Sequence, residues 1–305
     1  MKPFIKWAGG KQALLPQLSQ YLPKDIIDGK MFDYYEPFLG GGAMLIYMLQ
    51  HFPAIDHVTV SDINFRLINA YRVIKHKPVE LVNRLQWLAS RYFAKDMVER
   101  EKMYCRVRDD FNAEALSLDT PETVCIPMMA AEFIFLNKTC FNGLYRENKN
   151  GEFNTSFGKF KNPNICDADN IFELHGAFLR HNVTFLVKDS VNMMLDIAAA
   201  GLMLPKNMFV YLDPPYKPLN SSSFTGYTAS GWTDDDYRTL LKQCGYLTDM
   251  NSERRFVRWM MSNSSNLLDS SCYDKMSVNY IKACRRINSN GSGRGEVNEV
   301  VITNY

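Results

Sequence analysis

The sequence has no apolar run long enough to cross a bilayer. Its most apolar stretch, MMAAEFIFL (128–136), is far short of the ~20 residues a spanning helix needs and contains Glu132. The N-terminus, MKPFIKWAGGK, lacks the apolar centre of a secretory signal. A dominant charge sign is also missing. Thirty-five Lys and Arg stand against 33 Asp and Glu, a net charge of +2, so a nucleic-acid surface must come from local clustering. The seven cysteines include no C-x-x-C pair, which argues for reduced thiols and a cytoplasmic protein over a disulfide frame or zinc site. The five histidines show no metal-ligand spacing, which argues against a metal enzyme and against a Ser-His-Asp hydrolase. No metal and no membrane are expected. No repeat or low-complexity segment occurs.

What remains is an ordinary globular composition, 46% hydrophobic and 22% charged over 305 residues. Leu14, Leu15, Leu18 and Leu22 share a helical face after Gly9-Gly10. FDYYEPF (32–38) reads as a strand running into Gly40-Gly41-Gly42, followed by the helical AMLIYMLQHF and a second strand, His57–Val60, closed by Ser61-Asp62. This order is a βαβ unit, the start of a parallel sheet. Strand alternation then stops. Leu81, Leu85, Leu88 and Tyr92, then Val98, Tyr104, Val107 and Phe111, recur at helical spacing. Asn148 to Gly151 is a turn signal between aromatic-rich runs, so a hairpin is expected there. Sheet-like segments return at 183–187, 209–212, 256–262, 278–283 and 300–305, the last two reading as an antiparallel pair. The expected architecture is an α/β sheet domain, residues 1–75 and 181–305, interrupted by a mostly helical insertion, 76–180, carrying a β-hairpin near 141–160.

Ligands of open α/β sheets bind outside the carboxyl ends of the strands, where strand order reverses. Three features fall at such ends. Glycines 40–42 permit close backbone approach. Asp62, 22 residues after Gly40, stands at the spacing that suits ribose hydroxyls. FVYLDPPYKP (209–218) ends an apolar strand in Asp213, two prolines without N–H groups, and the aromatic Tyr216. Singly, each reads more simply as a turn, a cap or a strand break; together they favour a nucleoside-type cofactor. A phosphate-binding P-loop is excluded, because Ile5 and Gln12 occupy required Gly and Ser/Thr positions around Gly10-Lys11. Lys11 nonetheless opens a helical pattern, where the macrodipole disfavours a cation by about 0.3–1 kcal/mol.

The stretch LNKTCFNGLYRENKNGEFNTSFGKFKNP (136–163) interleaves Lys138, Arg146, Lys149, Lys159 and Lys161 with five aromatic residues and six asparagines. Arg, Asn and Lys read base edges in the major groove, which a two-stranded ribbon can enter. A solvated hairpin has a similar composition. Lys282, Arg285, Arg286 and Arg294 bracket a polar loop that could hold phosphates or simply face solvent.

FIKWAGGK (4–11), EPFLGGGA (36–43), SDIN (61–64), FNGLYRENKNGEFNTSFGKFKNP (141–163), YLDPPYKPL (211–219) and RINSNGSGRGEVNEVVITNY (286–305) follow one another in the order seen in the Dam-type DNA adenine methyltransferases, which the chain resembles over almost its full length. The resemblance implies a Rossmann-like sheet, S-adenosyl-L-methionine as cofactor, and N6 of adenine in double-stranded DNA, within GATC, as substrate. By matched position it places Trp7, Lys11, Glu36, Phe38, Gly40, Asp62, Asp189 and Asp213 at the cofactor. It places Asp213, Pro214, Pro215 and Tyr216 in the catalytic pocket. Lys11, Asn142, Leu144, Arg146, Phe160, Lys161 and Arg294 fall where relatives contact DNA, with Phe160 standing where some have tyrosine. A monomer or weak dimer is expected.

The chemistry is consistent with that assignment. An aromatic amine is a poor nucleophile, and two acceptors aimed at its N–H groups, the Asp213 carboxylate and the Pro214 carbonyl, would stabilise charge developing on nitrogen. A nicotinamide-dependent oxidoreductase shares the glycine turn and Asp62 but leaves DPPY unexplained. A non-catalytic DNA-binding module accounts for the hairpin alone; a methyltransferase of the same fold with another DNA site, or with an RNA or protein amine as target, stays open, because an acid-Pro-Pro-aromatic turn suits several planar amines.

Overall fold

The computed structural model describes residues 1–117, 125–203, 206–216, 232–254, 257–265, 273, 275–284 and 296–305. Among them, seven strands form one sheet: β1 (Phe32–Glu36), β2 (Ile55–Asp62), β3 (Val183–Val187), β4 (Met208–Leu212), β5 (Val257–Ser264), β6 (Ser277–Cys284) and β7 (Glu296–Thr303). Their order is β3-β2-β1-β4-β5-β7-β6. The first five are parallel, and β7 runs antiparallel to both β5 and β6. The chain steps outward from β1 through β2 to β3, then returns to lay β4 on the other side of β1. Strand order therefore reverses between β1 and β4, and a crevice opens where Glu36 and Leu212 end their strands.

Sequence alternation decides which face each strand residue covers. In β4 (MFVYL), Phe209 and Tyr211 join a core with the helices α3 (Ala43–His51), α4 (Phe65–His76) and α8 (Ala168–Arg180). Met208, Val210 and Leu212 join the opposite core with α9 (Ser190–Met203) and α10 (Asp234–Arg254). Every residue of β4 is buried. At about 1.5–3 kcal/mol for each large side chain removed from water, this strand is a main anchor of the fold.

Between α4 and α8 the chain forms α5 (Pro78–Phe93), α6 (Met97–Ser117) and α7 (Pro127–Thr139). Their apolar residues, among them Leu85, Tyr104, Phe111 and Phe133, are continuous with the core under β1 and β2. Val98, which shared the helical spacing, faces solvent instead. The Leu14–Leu22 pattern does not give one helix. A 3₁₀ turn (Lys11–Ala13), a short α1 (Leu15–Leu18) and a second 3₁₀ turn (Ser19–Tyr21) replace it, because Pro16 has no N–H to donate within a longer helix. Leu14, Leu18 and Leu22 still reach the core. The strand expected over 32–38 stops at Glu36, before Pro37.

The hairpin is a loose ribbon held by two isolated bridges, Cys140 to Phe157 and Glu147 to Phe153. Asn148 makes its turn, its side-chain oxygen accepting from the N–H groups of Asn150 and Glu152. The aromatic residues between its lysines are mostly packing. Tyr145, Phe153 and Phe157 are buried, while Phe141 is 55% exposed. Asn112 on α6 clamps the ribbon from below, donating to Phe153 O at 3.0 Å and accepting from Phe153 N at 2.8 Å.

Candidate active site

Glu36 ends β1 fully enclosed, at 2% exposure. The Tyr34 hydroxyl donates to its Oε2 at 2.8 Å. Burial drives its carboxyl well above the carboxylate range, against the Tyr34 hydrogen bond; Asp213 and Asp62 add to the rise and the Leu45 N–H opposes it. Beyond Pro37 the loop stays against β2, with Leu39 N donating to Ser61 O at 2.9 Å. Gly40 and Gly42 take left-handed φ values of 47° and 68°. Nothing larger fits: a Cβ on Gly42 would lie 2.5 Å from Tyr71 Oη, and one on Gly40 would lie 2.9 Å from Trp7 Cδ1. The Trp7 ring thus lies over the glycine turn.

Asp62 ends β2 beside this turn. Its Oδ2 accepts from Gly40 N at 3.0 Å and its Oδ1 from Asn64 N at 2.9 Å. The 22-residue spacing closes into direct contact. Burial pushes this carboxyl up as well, against the backbone donors of Asn64, Gly40 and Ile63.

At the end of β4, Asp213 Oδ1 lies 2.8 Å from Lys11 Nζ and accepts from Ser262 Oγ at 3.0 Å. Ser262 is in turn 2.7 Å from the Tyr211 hydroxyl. Burial raises the Asp213 carboxyl above its ordinary value; Lys11 and Ser262 pull the other way. Lys11 also donates to Gly9 O at 2.7 Å and its ammonium stands 4.6 Å from the Tyr216 ring centroid. Its odd place in the sequence is thereby explained. It opens a three-residue 3₁₀ turn, not an α-helix, and, itself buried, it pairs with the half-buried Asp213 carboxyl. Pro214 is buried, Pro215 half-buried, and the Tyr216 hydroxyl donates to Glu299 Oε2 at 2.8 Å.

The N-terminal segment joins this pocket to the ribbon. Trp7 stacks on Tyr145, with centroids 5.4 Å apart and planes 20° apart. Asn137 is 1% exposed and accepts from Lys6 N at 2.9 Å while donating to Lys6 O and Gly143 O at 2.8 and 3.1 Å. On the ribbon, Asn142 is exposed with φ of 58°, and Leu144 is half-buried. Arg146 is exposed and held by Asn154, with Nε to Oδ1 at 2.7 Å. Phe160 is half-buried with the Lys6 ammonium 5.7 Å from its ring centroid. Lys161 is exposed, its carbonyl accepting from Arg100 at 2.9 Å.

Trp7, Lys11, Glu36, Phe38, Gly40, Asp62 and the Asp213–Tyr216 turn therefore gather around the carboxyl ends of β1, β2 and β4. Phe38 rests edge-on against Trp232. Asp189 follows the end of β3, next to Lys188, whose N–H donates to Asp62 O at 3.2 Å, and it caps α9: Asn192 N and Nδ2 donate to its two oxygens at 3.0 and 2.6 Å. Burial would raise its carboxyl, but these hydrogen bonds outweigh it and hold the pKa below the usual value. Arg285, Arg286 and Arg294 lie outside the described residues. Among the described residues, one His-carboxylate group is compact enough to share an ion: Asp33, Asp56 and His57. It sits at the amino-terminal ends of β1 and β2, opposite to the carboxyl ends that carry the site, and there Lys206 donates to Asp56 at 3.1 Å. No helix among the described residues is long and apolar enough to cross a membrane.

Sequence reasoning passed over Ser262, Tyr211 and Glu299. Glu299 had a signal, an acidic residue one step before the apolar run VVI. Ser262 had little, since serines at strand ends are common.

The profile of the D12 class N6 adenine-specific DNA methyltransferases matches residues 7–287. The chain belongs to this family. Full-length relatives agree. A type II methyltransferase of Methanocaldococcus jannaschii, M.MjaIII, is 40% identical, with 100% of this chain and 99% of the relative covered. M1.LlaDCHI of Lactococcus lactis subsp. cremoris, also a type II methyltransferase, is 31% identical over 100% of this chain and 96% of its own. The DNA adenine methylase of Escherichia coli K12 is 29% identical over 98% and 94%. The enzyme is an adenine-specific DNA methyltransferase on an α/β sheet with an antiparallel C-terminal strand pair. The residues present fit a nucleoside cofactor: the Asp62 carboxyl, an acceptor of the kind ribose hydroxyls require, stands beside the glycine turn at the carboxyl ends of β1 and β2.

Proposed function

We propose that the enzyme methylates N6 of adenine within GATC in double-stranded DNA, using S-adenosyl-L-methionine and a target base turned out of the helix. The observation that carries this reading is the junction of the two strand ends, where the Gly40–Asp62 contact of 3.0 Å faces the Asp213–Tyr216 turn across the strand-order reversal. When bound, the cofactor supplies an activated methyl group. Asp62 takes its ribose hydroxyls, and Trp7 and the glycine turn set its depth. The Asp213 carboxylate and the Pro214 carbonyl accept from the two N–H groups of the adenine amine, drawing its lone pair out of the ring. Holding amine and methyl donor in line at about 3–3.5 Å would favour direct transfer, the S–CH3 bond breaking as the N–CH3 bond forms, with the surplus amine proton leaving by way of the Asp213 carboxylate to solvent. Tyr216 gives the base a face to stack on, which offsets part of the few kcal/mol that extrusion costs. The helical insertion, 76–180, reads the site, with Arg146 directed to a guanine edge and Asn142, Leu144, Phe160 and Lys161 beside it.

Two measurements test this. The full chain incubated with labelled S-adenosyl-L-methionine and unmethylated duplex DNA should label adenine at GATC and protect it from endonucleases blocked by GATC methylation. Label at another site refutes the GATC assignment; no label on any DNA refutes the donor or the substrate. Asp213→Ala should abolish transfer while DNA binding is kept, and retained turnover would sink the role given to Asp213.

A further inference from the structure

Strand β7 runs against its neighbours, so its first half lies at the carboxyl edge of β5, with Glu299 opposite Ser264. Glu299 is followed by Val300, Val301 and Ile302, all fully buried, and is itself only 8% exposed. A carboxyl group in such a strand is costly unless it is hydrogen-bonded. One of its partners is functional in position: the Tyr216 hydroxyl, 83 residues away in sequence, donates to it at 2.8 Å. A tyrosine ring anchored only at Cβ can rock and rotate about two torsions. Pinning the phenol at the far end fixes the ring axis, and because a phenolic O–H prefers to lie in the ring plane, a fixed acceptor also biases the plane; burial keeps that phenol protonated, well above its ordinary pKa.

We infer that Glu299 is a positioning residue for methyl transfer, holding the Tyr216 ring in the plane against which the target base is seated. This rests on the reading of Tyr216 as the face that receives the base. A rigid face matters because the amine must sit in line with the methyl donor, and small displacements at that point are amplified in rate. The ring's hydroxyl has no other duty in this scheme, so its removal isolates the anchor from the stacking surface.

The experiment is a double-mutant cycle on the full chain, with kcat and both KM values measured for Tyr216→Phe, Glu299→Leu and the pair. Each single change should lower kcat about tenfold, the worth of one charge-assisted hydrogen bond, with the cofactor KM unchanged. The paired variant should be no slower than the worse single one, and Glu299→Gln, which still accepts, should recover most of the loss. Losses that multiply, or a Tyr216→Phe enzyme with wild-type kcat, overturn the inference. If Glu299→Leu does not fold, Tyr216→Phe alone decides. Tyr216→Ala separates the two levels of the argument. Retained transfer there refutes the stacking role itself, whereas abolished transfer beside an unaffected Tyr216→Phe refutes only the anchor.

Discussion

The Lys11 ammonium lies 2.8 Å from Asp213 Oδ1, a contact spanning the first turn of the chain and the DPPY motif. It bears on the proposed chemistry, because an ionised Asp213 is the stronger acceptor for an amine N–H. Burial pushes the Asp213 carboxyl upward, and the Lys11 charge is the largest influence against it. Replacing Lys11 by Met removes that opposition, so the carboxyl should hold its proton to higher pH. The acid limb of the kcat–pH profile should therefore move to higher pH in Lys11→Met, at saturating cofactor and DNA. An unmoved acid limb would show that Lys11 does not govern the ionisation of Asp213.

Gly42 and Tyr71 meet so closely that the glycine cannot be replaced without cost. A methyl group there would lie 2.5 Å from Tyr71 Oη, at a φ of 68°. Gly42→Ala should destabilise the fold by about 2–5 kcal/mol, the sum of left-handed strain and overpacking. Tyr71→Phe takes away the hydroxyl and should return the steric part, at the expense of its 3.1 Å hydrogen bond to Gly40 O. Urea unfolding of the two single variants and the pair measures this. Additive losses would show that the clash is relaxed elsewhere.

The parallel sheet and the crevice were legible because periodicity and strand-end chemistry are local. β4 reads as a buried strand from FVYL alone, and the glycine turn with Asp62 declares itself by spacing. The ribbon was legible only in part. Its sequence interleaves lysines with aromatic rings without saying where the rings go, and Tyr145, Phe153 and Phe157 point into the core with Phe111 and Phe133. Composition does not say which side of a two-stranded ribbon faces the protein. Glu299 escaped notice for a different reason. Its importance depends on β7 running antiparallel, which brings residue 299 beside residue 216, and no local pattern encodes that neighbour.

Arg146 is exposed but already ordered, its Nε donating to Asn154 Oδ1 at 2.7 Å across the ribbon. A guanidinium held in place loses less rotamer freedom when it meets a base edge. Arg146→Ala should lose about 1–3 kcal/mol of discrimination at one guanine. Asn154→Ala should leave that preference in place but weaken binding of cognate DNA, since Arg146 must then be ordered by the DNA itself. Competition binding with single-base variants of the site separates the two effects. Unchanged discrimination in Arg146→Ala would remove this residue from site reading.

Glu36 makes the stability of the fold depend on pH in a direction opposite to that of a salt-bridged acid. Burial drives its pKa well above the ordinary 4.5, so the folded protein holds this proton more tightly than the unfolded chain does. The stabilisation is complete below the unfolded pKa. As pH rises past that value the unfolded chain sheds its proton first, and stability falls until the folded pKa is passed, by at most about 1.4 kcal/mol per pH unit. Glu36→Gln has no proton to shed. Its own packing cost is a constant offset, and the pH dependence from Asp62 and Asp213 is shared with the wild type to first order. The difference in unfolding free energy, variant minus wild type, should therefore be lowest below the ordinary Glu pKa and climb as pH rises from there towards the raised pKa of the folded state. Chemical denaturation at a series of pH values measures it. A flat difference across that range would mean that Glu36 is ionised as readily in the fold as in the open chain, and that burial at the end of β1 is offset by the donors around it.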